Sequence, residues 1–551
     1  LTAHRGKTMP YGIALDLGTS GFRSHLVDLD RKAKILSTAI TVRHPLPGAN
    51  IMDHMHFWMT SGREITHRIV VETIGDLISL YGKDNLKQVT KVSVCGNPIQ
   101  LSLFEDIEVR DLAFAGKSKL RSLGVVSPDR KGGVRTVGEI GIPGLDPEAD
   151  VIIPPAIRHE IGADALAMII KSGLLEKNET CMVTDYGTNA EMGLFHEGEL
   201  YSGSAAAGPA MEGQSVECGM LASPHAISDV NEAGDGKWDV LVLNDSLVPV
   251  VTARTNPVTG ESVKILDYKA KGITGTGVVS SMALGLRSGI IGRPSITTPD
   301  HRIKLVDGVY FTEADVTESG KAMGAIRAGH RTLMHHVGLD DGDIKTMYMA
   351  GASGTYVDPL KAQECGMIPR VLEAVYQLGN TSLMMSRDLL ASDETLDMMK
   401  DVAKSISSNH LMFAGSEMFE KMYVLELAYW DEGMGMDMYN DMLEYEGLKR
   451  LPPIKVPGTV IRKVRSDIPD VGDGLKTLDP VGRIMKARFK GCTGCRKCQR
   501  KCPEDALTVL GEKGDFEVNV RSDLCLGTAC QACEFNCPEK VYVFKDLQIG
   551  D

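Results

Sequence analysis

The sequence predicts an α/β protein built from two related halves, followed by a small cysteine-rich α+β domain. Two short apolar strands, each ending in an Asp-x-Gly-Thr turn, lie about 170 residues apart and indicate the two halves. Eight of the twelve cysteines fall between Cys492 and Cys537, which indicates the C-terminal domain. A chain of 551 residues is long enough for several such domains.

The composition restricts the classes of partner. A formal net charge of −13 argues against nucleic acid, because phosphate binding needs a concentrated basic surface. No run of about eighteen apolar residues is present, so no membrane segment is predicted. Residues 1–8 precede Met9, lack the apolar core of a signal peptide, and are interpreted as an expression remnant.

The first hairpin lies in the stretch YGIALDLGTSGFRSHLVDLD, residues 11–30. A short apolar strand ends at Asp16, a turn through Gly18, Thr19 and Ser20 follows, and alternating polarity predicts a returning strand. An acidic residue beside backbone N–H groups that converge on an anion indicates a phosphate and Mg²⁺ site. The lysine and following helix of a P-loop are absent.

The same design recurs in TCMVTDYGTNAEMGLFHEGELYSGS, residues 180–204. The strand ends at Asp185, the turn contains Gly187, Thr188 and Asn189, and AEMGLF is predicted to return as a strand. Two such hairpins predict a duplicated domain whose halves face a shared cleft.

A third turn follows the predicted strand in KTMYMAGASGTYVDP, residues 345–359. Small side chains allow backbone to approach a nucleotide closely. The turn residues expected to do so are Gly351, Ala352, Ser353 and Gly354.

The C-terminal cysteines form two runs. In GCTGCRKCQRKCP, Cys492, Cys495, Cys498 and Cys502 precede Pro503 and match the C-x2-C-x2-C-x3-C-P run of bacterial ferredoxins, whose fourth cysteine ligates the other cluster. The second run, CLGTACQACEFNCP, contains Cys525, Cys530, Cys533 and Cys537.

This double run resembles a two-cluster ferredoxin domain. The crossed pattern of that family implies one 4Fe-4S cluster held by Cys492, Cys495, Cys498 and Cys537, and another held by Cys502, Cys525, Cys530 and Cys533. Four residues instead of two separate Cys525 from Cys530, so Cys525 departs from the family pattern. Paired zinc sites are the alternative.

Basic residues surround the first run in an otherwise acidic protein. They either guide an acidic redox partner or offset the negative charge of the clusters. These residues are Lys486, Arg488, Lys490, Arg496, Lys497, Arg500 and Lys501.

The domain boundaries follow from these motifs. Residues 451–482 are rich in Pro, Gly and charge and are predicted to form a linker. The first half, with an inserted subdomain, is assigned to residues 9–178 and the second half to 179–450. The ferredoxin-like domain is assigned to residues 483–551.

The hairpins and the glycine turn look like the phosphate 1, phosphate 2 and adenosine elements of the actin, sugar-kinase and heat-shock-chaperone ATPase superfamily. More closely, the chain resembles the reductive activators of corrinoid proteins. The resemblance implies duplicated actin-like (RNase H-like) halves. The stretches that carry it are GSAAAGPAMEG (203–213), GITGTGVVSSMALGLRSGII (272–291), AGASGTYVDP (350–359) and GMIP (366–369).

Bacterial members of this family carry an N-terminal 2Fe-2S domain, whereas here a ferredoxin-like domain follows the ATPase. That order resembles the methanogen members, which act on the corrinoid proteins of methylamine methyltransferase systems. The resemblance implies an enzyme that uses ATP to help reduce inactive Co(II) to Co(I). The implied cofactors are ATP, Mg²⁺ and two 4Fe-4S clusters, with a low-potential electron donor as a second partner and the cytoplasm as the location.

Roles follow from this resemblance. Asp16 and Asp185 are expected to bind Mg²⁺, and the turn residues beside them the β- and γ-phosphates. Glu212 is a candidate for orienting the attacking water. The run Ser204 to Gly208 is predicted to form a loop that faces the corrinoid, with helix packing as the alternative.

Three other functions stay open at this point. The ATPase fold also occurs in small-molecule kinases, for which the iron-sulfur domain would be an accessory. A second alternative is an ATP-dependent electron activator of another low-potential enzyme, such as a 2-hydroxyacyl-CoA dehydratase. A redox-sensing scaffold that binds nucleotide without delivering electrons is the third.

Overall fold

The computed structural model divides the chain into two units. The first comprises residues 1–163, 385–400 and 471–551, and the second comprises residues 164–384 and 401–470. The C-terminal domain therefore belongs to the same unit as the first hairpin. The structure describes residues 10–48, 50–113, 117–157, 161–187, 189–208, 210, 215–406, 409–462, 464, 466, 468–512 and 514–550.

The first unit is built on a mixed sheet. Its strands run in the order β3-β2-β1-β4-β6-β5, in which β1 pairs antiparallel with β2 and parallel with β4. All of β1 after Tyr11 is buried, as its nearly continuous apolar sequence requires. The bounds are β1 (Tyr11–Leu17), β2 (Phe22–Asp28), β3 (Lys34–Thr41), α1 (Ile51–Ser61), α2 (Arg63–Ser79), α3 (Lys83–Leu86), β4 (Val89–Gly96), α4 (Pro98–Phe104), α5 (Arg110–Ala113), α6 (Lys117–Ser122), β5 (Gly133–Thr136), α7 (Val137–Ile140) and β6 (Asp150–Ile153).

The second unit contains a sheet of the same topology, in the order β9-β8-β7-β19-β20, and a separate five-stranded sheet, β13-β12-β11-β10-β14. Its elements are α8 (Ala163–Ser172), β7 (Cys181–Tyr186), β8 (Ala190–His196), β9 (Glu199–Ala205), β10 (Ala226–Gly234), β11 (Lys237–Leu243), β12 (Pro249–Thr255), β13 (Ser262–Lys264), β14 (Gly272–Ile273), α9 (Gly275–Arg287), β15 (Ile291–Gly292), β16 (Ser295–Ile296), β17 (Arg302–Lys304), β18 (Tyr310–Thr312), α10 (Glu313–His336), β19 (Thr346–Ala350), α11 (Gly351–Tyr356), α12 (Pro359–Glu364), β20 (Ala374–Gly379), β21 (His410–Leu411), α15 (Glu417–Trp430) and α16 (Met436–Tyr445). The helices α13 (Thr381–Ala391) and α14 (Glu394–Ile406) lie partly in residues 385–400 of the first unit.

The two main sheets share one plan. Each begins with a three-stranded antiparallel meander and continues with two parallel strands, β4 and β6 in the first unit and β19 and β20 in the second. This repetition agrees with the duplication expected from the two hairpins. Among the described residues, no helix combines the length and the apolar composition that a membrane span needs.

The segment predicted to be a linker contributes a strand to each main sheet. β22 (Thr459–Arg462) pairs parallel with β20, and β23 (Leu475–Leu478) pairs parallel with β3. The alternation needed to recognise such strands is weak because both lie at sheet edges and have few buried side chains. Residues 451–482 are therefore partly built into the sheets.

The C-terminal domain has a four-stranded sheet in the order β25-β26-β24-β27 and two short helices that pack against each other. It contacts α2 of the first unit through Arg483, which binds Glu72 at 2.7 Å and Asp76 at 2.6 Å. The bounds are β24 (Ile484–Ala487), α17 (Lys497–Arg500), β25 (Leu507–Glu512), β26 (Asp515–Arg521), α18 (Ala532–Phe535) and β27 (Gln548–Ile549).

The long helix α10 is held to α15 by a buried ion pair. Thr312 and Asp315 form a capping box that starts α10. Farther along, Arg327 Nε lies 2.6 Å from Glu426 Oε1 on α15, and the side chains are 7% and 1% exposed. Tyr439 on α16 also donates a hydrogen bond to Glu426. Both charges are thus satisfied inside the second unit.

Candidate functional site

The first predicted phosphate turn connects β1 to β2 in the first unit. Asp16 lies near the end of β1, 8% exposed, and is paired in register with Arg23 of β2. Thr19 and Ser20 in the turn are 7% and 4% exposed, and a Cβ on Gly18 would lie 3.0 Å from the carbonyl oxygen of Gly21. The turn therefore presents mostly backbone, as a phosphate site requires.

Asn97 holds this turn from the neighbouring strand end. Its side-chain amide donates to Thr19 Oγ1 at 3.0 Å, and its side-chain carbonyl accepts from the backbone N–H of Gln100 at 2.9 Å, capping α4. Asn97 is not among the site residues predicted from the sequence. Its signal was present in the dipeptide Asn97-Pro98 directly after a buried strand, which is typical of a capped helix start.

The side chain of Gln100 forms hydrogen bonds with two histidines whose rings are stacked. Its amide nitrogen lies 2.8 Å from His54 Nδ1, and its carbonyl oxygen lies 3.0 Å from His44 Nε2. Leu46 N–H donates to His44 Nδ1 at 3.1 Å, so His44 is neutral with its proton on Nε2. Burial lowers the pKa of His54 to about 3, so this histidine is also neutral.

The loop that follows His44 binds the second cysteine run. The carbonyl oxygen of Pro45 accepts from Ser522 Oγ at 2.6 Å, and the N–H of Gly48 donates to the carbonyl oxygen of Cys525 at 2.9 Å. Together with Asn97 and Gln100, these contacts form a polar framework from Thr19 to the loop of Cys525.

The second phosphate turn and the glycine turn lie at one edge of the sheet in the second unit. Since β7 and β19 are parallel neighbours, their carboxyl ends meet, and Asp185 is in register with Ala350. The N–H of Gly187 donates to the carbonyl oxygen of Asn189 at 3.3 Å. The second phosphate turn and the glycine turn therefore meet at Asp185 and Gly351.

Position 351 requires glycine for two reasons, its backbone conformation and the lack of space for a side chain. It has φ +79°, and a Cβ there would lie 2.3 Å from Asp185 Oδ1. The predicted turn Gly351 to Gly354 is the first part of helix α11, so its description as a simple turn is corrected. Ser353 in this helix is 7% exposed.

Replacing Gly351 by alanine is expected to weaken Mg-ATP binding by about 10-fold or more, because the methyl group displaces the Asp185 carboxylate and strains the backbone. Isothermal titration calorimetry measures the affinity. Gly415→Ala is the matched control, since nothing lies within 4 Å of a Cβ at this position and its φ is not positive. Equal affinities for the two variants would contradict the assignment of Gly351.

Several predicted residues cannot be placed. Thr188, Glu212 and residues 1–8 lie outside the described residues, as does the side chain of Ala352. Their predicted roles stay predictions.

The run that starts at Ser204 differs from its prediction. Ser204 and Ala205 form the end of β9, so the expectation of a loop is wrong for these two residues. The small side chains have a packing reason, because a Cβ on Gly203 would lie 2.4 Å from Phe413 Cζ, and Ala205 is 1% exposed in the core. Ser204 itself is half-buried.

The eight C-terminal cysteines line two cavities in the first unit. One cavity is lined by Cys492, Cys495, Cys498 and Cys537. The other is lined by Cys502, Cys525, Cys530 and Cys533. Each cavity thus combines cysteines from both runs, in the sets that the crossed pattern predicts.

The surroundings of the cysteines suit thiolate ligands. The N–H of Gly527 points at Cys525 Sγ, 3.4 Å away, and such bonds to sulfur are found around iron-sulfur clusters. Burial raises the pKa of Cys525 to about 12 and that of Cys498 to about 11, so without a cluster these thiols are protonated, and binding of iron would release their protons. Four thiols converging on one cavity fit the donor set of a 4Fe-4S cluster, and Cys525 fits it despite its irregular spacing.

Three family models match the chain. Residues 11–177 match the RACo middle region, and residues 179–440 match the C-terminal domain of RACo, described as the ASKHA domain. Residues 491–541 match a 4Fe-4S dicluster domain. These matches confirm the predicted fold class of actin-like ATPase halves followed by a ferredoxin-like domain.

Similar proteins agree with these models. A solved structure titled reductive activator for corrinoid,iron-sulfur protein has a TM-score of 0.62 and 24% identity, covering 77% of this chain and 66% of its own, which supports the fold. The corrinoid activation enzyme RamQ of Eubacterium limosum is 24% identical over 77% of this chain and 71% of its own length.

A further relative decides the family. The Co(II) methylated amine-specific corrinoid protein reductase of Methanosarcina barkeri is 44% identical over 521 residues, which are 94% of this chain and 96% of that protein. The resemblance identified from the sequence motifs is thereby confirmed. The chain belongs to the family of this corrinoid protein reductase.

Proposed function

We propose that this protein is an ATP-dependent reductase that converts the inactive Co(II) state of a corrinoid protein to Co(I). The observation that carries the proposal is that one chain contains both cysteine cavities for iron-sulfur clusters and the elements of a nucleotide site. Two four-cysteine cavities belong to the same unit as the first phosphate turn, and the second unit holds the other nucleotide elements. The relative named as a corrinoid protein reductase aligns with 94% of this chain, a range that includes both kinds of site.

The nucleotide is assigned to the two turns and the glycine helix. Asp16 and Asp185 hold Mg²⁺, directly or through water, while backbone N–H groups of the turns bind the phosphates. Gly351 leaves room for the Asp185 carboxylate, so that this group stays at the strand end. The free energy of ATP binding or hydrolysis then favours a conformation in which reduction of cobalt is less uphill.

The cysteines are assigned to two clusters. The first set, Cys492, Cys495, Cys498 and Cys537, holds one 4Fe-4S cluster, and the set around Cys525 holds the other. When bound, such clusters supply one-electron transfer at low potential. The chain contributes the thiolates, the apolar walls of the cavities and the N–H of Gly527 toward sulfur.

The partner is assigned to the corrinoid proteins of methylamine methyltransferase systems, because the relative at 44% identity is named for methylated amine-specific corrinoid proteins. A low-potential donor supplies the electrons, and the oxygen-labile clusters fit an anaerobic cytoplasm.

The experiment is anaerobic visible spectroscopy of a Co(II) corrinoid protein from a methylamine system, mixed with this protein and a low-potential reductant. Conversion to the Co(I) spectrum is expected only when Mg-ATP and this protein are both present. No ATP-dependent change, with both clusters and the corrinoid protein verified intact, would exclude the proposal.

Asp16→Asn and Asp185→Asn are expected to slow ATP-dependent Co(I) formation by about 100-fold or more, because each removes a charge that holds Mg²⁺. Reduction of the protein itself by a small chemical reductant is expected to stay normal. Asp84→Asn is the control, since Asp84 is exposed on α3 and pairs with the exposed Lys87. Wild-type rates in the two site variants would contradict the nucleotide assignment.

A further inference from the structure

The helices α17 and α18 carry a surface that the proposed function leaves unused. We call it the α17–α18 surface and define it by five exposed residues on or next to these adjacent helices. They are Arg496, Lys497, Arg500, Lys501 and Phe535.

The four cations of this surface have no acidic partner among the residues that the structure describes. Arg488, from the same basic stretch of sequence, is engaged by Asp515 at 2.8 Å. In contrast, none of the four forms an ion pair with any residue that the structure describes. In a chain of net charge −13, this makes a local positive patch that an acidic protein would meet with favourable long-range attraction.

The surface also contains one exposed aromatic side chain, that of Phe535. The Phe535 side chain is 80% exposed, although burying an aromatic ring is favourable. Exposed aromatic rings flanked by arginines are typical of the centres of protein interfaces. If these helices formed only a charged surface facing water, the exposure of the Phe535 ring would have no explanation.

The α17–α18 surface borders the first cysteine cavity. Arg496 lines this cavity together with Cys495, the one exposed cysteine among the eight. The lining of this cavity also contains the acidic Glu539, so the positive charge of the surface comes mainly from Lys497, Arg500 and Lys501. Because Cys495 is exposed, the first cavity reaches the protein surface at this cysteine.

We propose that the α17–α18 surface is the docking site of an acidic one-electron carrier protein, an inference that rests on the proposed function because it supplies the electrons for that reaction. The carrier binds with its acidic rim on the four cations and its apolar centre on Phe535. It is oxidised by one electron, and this chain is reduced by one, with no bond made or broken. The electron enters at the side of Cys495.

The test uses a plant-type 2Fe-2S ferredoxin of net negative charge as the probe. Its binding to the full-length protein is measured in the oxidised state by biolayer interferometry. Its electron transfer in the reduced state is measured by freeze-quench electron paramagnetic resonance, which separates the signal of a reduced 2Fe-2S cluster from that of 4Fe-4S clusters. The triple variant Lys497→Glu, Arg500→Glu and Lys501→Glu is expected to raise Kd and lower the transfer rate by about 10-fold or more at low salt. Phe535→Ser is expected to raise Kd without changing the salt dependence.

Two controls separate docking from damage. The triple variant Lys32→Glu, Lys34→Glu and Lys83→Glu reverses three exposed lysines elsewhere in the first unit and is expected to behave as wild type. Reduced methyl viologen, which is small and cationic, is expected to reduce both triple variants at least as fast as wild type.

Three outcomes would overturn the inference. The first is wild-type binding and transfer that do not weaken with salt, and the second is equal behaviour of the two triple variants. In the third, the α17–α18 variant accepts electrons normally from the ferredoxin but fails to form Co(I) with viologen as donor, so the surface binds the corrinoid protein. The binding and electron-transfer measurements with ferredoxin contain no corrinoid protein. A negative result in them therefore contradicts the docking site without contradicting the proposed function.

Discussion

Alanine at Cys525 is expected to remove one cluster and leave the other, so that the iron content falls from about eight to about four atoms per chain. Cys525 lines the same cavity as Cys502, although the two belong to different cysteine runs. The shared cavity gives a clear expectation for pairs of substitutions. Cys502→Ala with Cys525→Ala should lose no more iron than either single variant.

Substituting two cysteines of the same run distinguishes the crossed pattern from a pattern in which each run holds its own cluster. Cys492 and Cys502 are in one run but line different cavities. Cys492→Ala with Cys502→Ala should therefore lose both clusters, whereas ligation within one run would leave about four iron atoms. Iron analysis and low-temperature electron paramagnetic resonance of the reduced protein measure the result. Cys365→Ala is the control, because this buried cysteine lies in the core of the second unit. Zinc in place of iron would exclude the cluster assignment altogether.

Glu426→Ala is expected to lower the free energy of unfolding of the second unit by about 3–5 kcal/mol, because it leaves Arg327 charged and unpaired in the interior. Urea unfolding monitored by circular dichroism measures the change. Glu417→Ala on the same helix is the control, since its pair with Lys421 is exposed and contributes less than about 1 kcal/mol.

A double substitution tests the reason for that loss. Arg327→Met with Glu426→Leu removes both buried charges and is expected to recover most of the stability. If Glu426→Ala costs no more than Glu417→Ala, or if the double variant is as unstable as the single one, the loss does not come from an unpaired charge.

The features that the sequence predicted well are local ones. The first hairpin is bounded by β1 and β2 on either side of Gly18 to Gly21, and the second by β7 and β8. A strand, a tight turn and a returning strand are encoded within about twenty residues, so alternation and turn chemistry suffice to recognise them. The cysteine spacings are local in the same sense, and the dicluster match at residues 491–541 agrees with them.

The features that the sequence analysis missed depend on distant partners. Gln100 contacts His44 and His54, which lie 56 and 46 residues away, and no spacing rule connects them. Both histidines are buried members of the polar framework. The small residues near Ser204 were misread for a similar reason, since Phe413, which packs on Gly203, is far away in the chain.

The strands contributed by the supposed linker decide how the protein can be shortened. A chain ended at residue 450 would keep both main sheets but would lose β22 beside β20 and β23 beside β3. Each loss would make β3 or β20 the edge strand in place of a strand without buried side chains, and apolar edge strands recruit strands from other molecules and cause aggregation. An ATPase free of its iron-sulfur domain therefore has to end after Leu478, where both edges are still covered.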